Sequence, residues 1–249
     1  MKIFIDGFGI VAHSIVRKLI EKHSFPTSSL FVNTYDSQEN LLFRKYLDQE
    51  GIPYVIGNYD DLYGEINQFK PDYFFSLYGR RIIPKRILQI VKKKSINLHP
   101  SLLPEYKGCF SCPWVILNRE KFTGITIHEI VGDVDSGDIL FQQKVTLQGD
   151  ETAFSLYHKL AGLFVSNFYD FFCSLLNEKI IPVKMSEGGK YYKRKVPYGG
   201  YIDINWSIEK IEAFIRAMDF PPHKGAILKQ AKVETEISSI EEFLRLTQS

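Results

Sequence analysis

Cysteine is scarce in this chain of 249 residues, which carries only Cys109, Cys112 and Cys173. So sparse and odd a set excludes the disulfide framework of a small secreted domain and reads as reduced thiols. Cys109 and Cys112 form a C-x-x-C, but no second pair completes a zinc site, so no metal is implied. Long apolar runs are missing too. Nothing approaches the roughly 20 residues of a membrane span, and the opening MKIFIDGFG turns polar too early for a signal peptide. A cytoplasmic protein with no membrane partner is the expectation. Excess charge of either sign is also lacking: 31 Lys and Arg against 29 Asp and Glu leave a formal net charge of +2, no bulk reason to bind nucleic acid. With no repeat and no low-complexity tract, partners must be argued from sites.

What is present is alternation. Short apolar runs (KIFID, LFVNTY, YVIG, DYFFSLY, SINLH) are separated by amphipathic stretches, the order of βαβ units with parallel strands and covering helices. GITIHEI and GDILFQQKV, joined by VGDVDS, read as two adjacent strands around a functional loop. A long amphipathic helix is predicted from about Thr152 to Asn177, because Phe154, Leu156, Leu160, Leu163, Phe164 and Phe168 recur at helical spacing. After Lys179 the texture turns rich in glycine, tyrosine and lysine, then gives one more helix through Ile211 to Met218. GAILKQAKVETEI follows, alternating like a hairpin around Gln230 and Ala231. The reading is therefore an α/β, Rossmann-like, mostly parallel domain over residues 1–178 and a small C-terminal region over 179–249 with a helix and a β-hairpin.

GFGIVA after the first strand fits the G-x-G-x-x-A turn of dinucleotide enzymes, with Asp36 near the end of the second strand. An NAD-dependent dehydrogenase is the alternative from a different class. Gly7 and Gly9 equally serve any tight strand-to-helix turn.

INLHPSLLPEYKG points elsewhere. A period of two puts Asn97 and His99 on one face of a strand that Pro100 and Pro104 stop from continuing. VDSGDIL sets Asp135 at the mouth of a later strand. An amide that donates to an oxyanion, an imidazole that cycles a proton near neutral pH and a carboxylate that orients it together suit acyl transfer to an amine.

NLHPSLLPEYKG followed by GITIHEIVGDVDSGDIL resembles the folate-dependent formyltransferase family over most of the chain, with both motifs in the family's order. The resemblance implies an N-formyltransferase using 10-formyltetrahydrofolate, with Asn97, His99 and Asp135 catalytic. It places the folate against Ser76, Leu77, Tyr78, Gly79, Arg80 and Ile82, and against the loop Val131, Gly132, Asp133 and Val134.

YIDINWSIEKIEAFIRAMDFPPHKGA is similar to the segment that follows the catalytic domain in methionyl-tRNA formyltransferases and nucleotide-sugar N-formyltransferases. The tRNA enzymes continue into a β-barrel of about a hundred residues, a fold of the kind used for nucleic acid, whereas about two dozen residues remain here after Ala226. The best acceptor is therefore a nucleotide-linked amino sugar, dTDP-4-amino-4,6-dideoxyglucose for choice, serving a surface polysaccharide such as O-antigen. A methionyl-tRNA-like acceptor is the alternative. Lys107, Lys193, Arg194 and Lys195 suit a diphosphate, while Phe110, Tyr191, Tyr192 and Phe220 are candidates for the sugar nucleotide, the tyrosines and Phe220 by stacking on its base. A solvated basic loop and a packed aromatic cluster explain the same residues. A homodimer is expected, because the C-terminal hairpin is too small a sheet to stand alone.

Overall fold

The computed structural model describes residues 1–231 and 233–247. The predicted alternation becomes β1 (Ile3–Gly7), α1 (Gly9–His23), β2 (Leu30–Asn33), α2 (Leu41–Gln49), β3 (Tyr54–Val55), α3 (Tyr59–Phe69), β4 (Tyr73–Leu77), α4 (Lys85–Leu88) and β5 (Lys94–His99). There follow β6 (Lys107–Gly108), α5 (Ser111–Leu117), β7 (Phe122–Glu129), β8 (Ile139–Thr146), α6 (Ala153–Leu176), β9 (Tyr191–Tyr192), α7 (Ile208–Met218), β10 (Ala226–Gln230), β11 (Val233–Ile237) and α8 (Ile240–Thr247). Seven strands form one sheet in the order β3-β2-β1-β4-β5-β7-β8. The first five are mutually parallel, and β7 joins antiparallel to β5. A parallel strand covered on both faces is shielded at every position and reads as a mostly apolar run. β1, IFIDG, and β4, YFFSL, are accordingly buried at every position.

Two compact units make up the chain. One comprises Met1–His99, Ile125–Gln142 and Ala161–Ser186, the other Pro100–Gly124, Gln143–Leu160 and Glu187–Ser249. In the first, the period of two along β4 sends Phe74 and Phe75 to opposite faces. Phe74 meets Phe4 at 5.1 Å between ring centroids and shares a cluster with Phe31, Tyr59 and Ile66. Phe75 meets Phe168 of α6 at 5.7 Å. The helical spacing read from sequence thus produces the aromatic ridge that covers this face.

In the second unit, Ser207 caps α7 by accepting from the Lys210 N–H, and β10 pairs antiparallel with β11 from Ala226↔Ile237 to Gln230↔Val233. Tyr192 stacks on Tyr106 (5.5 Å, 5° between planes) and packs on Trp114 at 4.7 Å. Gly108 and Gly189 permit close backbone approach here. A Cβ on Gly108 would lie 2.2 Å from the Tyr192 carbonyl oxygen, and one on Gly189 1.8 Å from that of Pro104.

Phe74→Ala empties the middle of the first unit's core, and chemical denaturation is expected to show a loss of about 3–5 kcal/mol.

Candidate active site

The antiparallel register of β5 on β7 sets Asn97 opposite His128 and His99 opposite Thr126. Because partners in register share a face, four polar side chains gather on one side of two neighbouring strands, while Ile96, Leu98, Ile125 and Ile127 fill the other. Asp135 comes over them from the loop after β7. Its Oδ2 lies 3.4 Å from His99 Nδ1, and its Oδ1 lies 3.4 Å from both His128 Nε2 and Asn97 Nδ2. The structure therefore brings Asn97, His99 and Asp135 together, all within the first unit. Both imidazoles and the carboxylate are almost completely buried, which strengthens every charge interaction among them.

Two local features hold Asp135 there. The Glu129 N–H donates to the Asp138 carbonyl at 2.9 Å and closes the loop at its base. Gly137 sits so close to Glu129 that a Cβ would fall 2.0 Å from that residue's carbonyl oxygen. Asp135 itself has φ +49°, a left-handed conformation that a non-glycine residue holds only when its surroundings over-determine it.

Sequence reasoning missed His128. Its Nδ1 lies 2.8 Å from the Glu129 carbonyl oxygen, which can only accept, so Nδ1 carries a proton. In the neutral ring Nε2 is then an acceptor, and Asn97 Nδ2 donates to it at 3.1 Å. His128 thereby fixes which way the Asn97 amide points. The signal was in GITIHEI, where Thr126 and His128 are polar at every second position of an otherwise apolar strand.

Of the other expected site residues, Leu77 is completely buried and its carbonyl accepts from the Phe8 N–H at 3.0 Å, so its side chain belongs to the core. Ser76 is buried beside it, Tyr78 adopts φ +59°, and Ile82 is 81% exposed. The Arg80 guanidinium lies 3.3 Å from the Phe8 ring centroid. A Cβ on Gly79 would meet Ser76 Oγ at 2.8 Å and Asp6 Oδ2 at 2.9 Å. Val131, Gly132, Asp133 and Val134 are all exposed.

GFGIVA turns out to be closed by its own chain. The Gly9 N–H at the start of α1 donates to buried Asn40 Oδ1 at 2.7 Å, and the Gly7 carbonyl accepts from Thr34 Oγ1 at 3.1 Å. Asp36 is engaged by Arg44 at 2.5 Å. The donor that would face a pyrophosphate is thus already satisfied.

In the second unit, Tyr192 is a core residue whose hydroxyl accepts from Asn118 Nδ2 at 3.2 Å, and Phe220 packs on Tyr157 at 5.3 Å and Phe154 at 5.7 Å. Tyr192 is thus buried, whereas Phe220 is half-buried. Lys107 Nζ donates to the Gly188 carbonyl at 3.1 Å. Tyr191, Phe110, Lys193, Arg194 and Lys195 present exposed surface. Among the described residues no cluster of His, Cys, Asp and Glu is arranged to hold a metal, and no helix is long and apolar enough to cross a membrane.

One face of the α/β sheet thus gathers a half-buried amide and two buried imidazoles, with a carboxylate closing over them. Residues 46–168 match the model of the formyl transferase family. The chain is 34% identical over 238 residues to the GDP-perosamine N-formyltransferase of Brucella melitensis, covering 92% of this chain and 88% of that protein. The N-formyltransferase of Helicobacter canadensis, solved with folinic acid and dTDP-3-aminofucose, superposes with a TM-score of 0.75 at 26% identity, covering 96% of this chain and 86% of the other. A sugar 3N-formyltransferase solved in the presence of dTDP and 5-N-formyltetrahydrofolate shares the fold, with a TM-score of 0.80 at 23% identity and coverage of 96% and 85%. The chain belongs to the formyl transferase family and is an enzyme.

Gly137→Ala should push the Asp135 loop off its seat and lower turnover by at least about tenfold. Gly162→Ala, on α6 where a Cβ meets nothing within 4 Å, is the control in the same steady-state assay.

Proposed function

We propose that this enzyme transfers a formyl group from 10-formyltetrahydrofolate to the amine of a nucleotide-linked amino sugar, with Asn97, His99 and Asp135 carrying the chemistry. The observation that carries this reading is their convergence within 3.4 Å on one buried face of a chain 34% identical, almost end to end, to a sugar-nucleotide N-formyltransferase.

The folate donor supplies the formyl carbon. The neutral acceptor amine attacks that carbon, the carbonyl oxygen becomes an oxyanion, and the bond to the folate nitrogen breaks as that nitrogen takes a proton. His99, its Nδ1–H held by Asp135, receives the amine's proton on an unprotonated Nε2, and the imidazolium so formed, stabilised by that carboxylate, returns it to the leaving nitrogen. Asn97 donates an N–H to the oxyanion, a contact worth a few kcal/mol in the transition state. Its Nδ2 holds two partners, and the 3.4 Å contact to Asp135 is the weaker, so that hydrogen is the one exchanged. His128 keeps the other and prevents the amide from flipping.

The chain's groups fit such a donor: exposed apolar Ile82, Val131 and Val134 offer ring contacts, and Tyr78, Gly79, Arg80, Gly132 and Asp133 offer backbone groups on two loops of the first unit. In the second unit, Lys107, Lys193 and Arg194 offer cations of the kind a diphosphate takes, with Tyr191 and Phe110 as exposed aromatic surface. The nucleotide is dTDP or GDP. The product feeds a surface polysaccharide, and the protein works in the cytoplasm as a homodimer paired through its C-terminal hairpin, whose exposed Val233, together with Tyr201 bridged to Ile227, needs cover.

A formylation screen over dTDP-, GDP- and UDP-linked amino sugars, followed by mass spectrometry, tests the acceptor class. Product with none of them would overturn it. Asn97→Asp exchanges a donor for an acceptor-only group, and Asp135→Asn removes the charge that orients His99. Each is expected to lower kcat by at least about a hundredfold with folding intact, and near-normal turnover in either would remove that residue from the mechanism.

A further inference from the structure

Asp6 is fully buried at the carboxyl end of β1 and takes no part in the chemistry above. Its Oδ1 accepts from Arg81 Nη1 at 2.8 Å, and its Oδ2 accepts from the hydroxyls of Tyr59 (2.7 Å) and Tyr35 (3.2 Å). Both ends of a short loop lead back to it. Tyr35 Oη accepts from the Arg80 N–H at 2.5 Å, Arg81 Nη2 donates to the Thr34 carbonyl at 2.9 Å, and the Arg81 guanidinium lies 3.8 Å from the Tyr35 ring centroid. Between β4 and these contacts, Tyr78 is held at φ +59° and Gly79 passes so close over Asp6 that no Cβ fits. A strained loop persists only where its surroundings over-determine it, and here one carboxylate does so. The register also ties this carboxylate to the site. Asp6 pairs with Ser76, Ser76 with Asn97 and Asn97 with His128, so all four lie in one row on one face of the sheet.

We propose that Asp6 is a positioning residue for the folate donor, shaping residues 78–82 through Arg81 and Tyr35 and setting donor affinity without touching a reacting atom. The proposal rests on the reading that the donor lies against this loop.

The same geometry makes the clamp sensitive to acid. Burial pushes the Asp6 carboxyl up from 3.8 to about 6, against the opposing pull of Tyr59, Arg81 and Tyr35, which with Ser76 are the groups that face it. Above that value the carboxylate holds Arg81, and below it the added proton neutralises the carboxylate and leaves the Arg81 guanidinium without its counter-charge. Because the folded state binds this proton more tightly than the unfolded chain does, protonation of Asp6 does not destabilise the fold, so a loss of donor affinity in that window is not unfolding.

The test is equilibrium binding of 5-formyltetrahydrofolate, a donor that does not turn over, together with steady-state kinetics. Asp6→Asn is expected to weaken binding and raise the donor KM at least about tenfold, while kcat at saturation and the acceptor KM stay within about threefold. In the unmodified protein the dissociation constant should rise about tenfold from pH 7 to pH 5 and be flat over that range in Asp6→Asn. Tyr35→Phe, which removes one link and no charge, should act in the same direction more weakly, and it carries the test if Asp6→Asn does not fold. Ile82→Ala checks the underlying reading. If it leaves donor affinity unchanged, the donor does not lie on this loop and that reading fails. If Ile82→Ala weakens binding while Asp6→Asn, or Tyr35→Phe in its place, keeps the original affinity and pH dependence, the role given to Asp6 is wrong.

Discussion

The constraint on which the rest of this structure depends is the register of the central sheet. Asn33, Asp6, Ser76, Asn97 and His128 lie in one line across β2, β1, β4, β5 and β7, because each is the in-register partner of the next. A row of polar side chains inside an apolar sheet is costly unless each finds a hydrogen bond. The neighbouring strands offer little, since their ladder groups are already paired. Loops have to come over the row. The Gly57 backbone meets Asn33 twice at 3.2 Å, residues 78–81 close on Asp6, and Asp135 closes on Asn97, whose amide in turn donates to His128. The loop conformations that look unusual, φ +59° at Tyr78 and φ +49° at Asp135, occur in the two segments this row pulls inward.

How much of this was legible in the sequence follows from how local each signal is. Strand and helix periodicity is local, and α6 begins and ends within a residue of its expected limits. The common face of Asn97 and His99 is also local, because it needs only a period of two and the prolines that end the strand. His128 was not legible as a partner of Asn97. The two are 31 residues apart, and their meeting depends on an antiparallel register that nothing in either strand specifies alone. Asp6 was hidden for the same reason, as one acidic residue at a strand end beside a glycine turn that drew attention to itself. Tyr192 and Phe220 were ambiguous because an aromatic ring suits a core and a nucleotide base equally, and their packing partners lie far off in the sequence.

GFGIVA separates a motif from the function it suggests. What the three small residues do in this chain is steric: a Cβ on Gly7 would fall 2.8 Å from that of Ala12 and 3.3 Å from the Phe43 ring. The α1 N-terminus remains a site for an acceptor, as any helix start is, but buried Asn40 supplies that acceptor from within the fold. The turn therefore joins β1 to α1 tightly, and the polar chemistry lies farther along the sheet.

Burying Asp6 has a stability cost whose sign is informative. A carboxyl whose value rises from 3.8 to about 6 favours the folded state fully at acid pH and loses that contribution as the pH passes 6. At neutral pH the ionised group therefore costs about 3 kcal/mol relative to its protonated form, a sizeable part of the 5–15 kcal/mol that typically separates folded from unfolded chains. Replacing a buried ion pair by apolar groups is often neutral or stabilising, so stability alone does not account for Asp6 and Arg81. What the charged pair provides, and an apolar pair would not, is direction: two oxygens that each select a partner and so fix the path of residues 78–81 over the sheet. In this row, a carboxylate that weakens the fold at neutral pH fixes a loop that the apolar sheet alone would leave undirected.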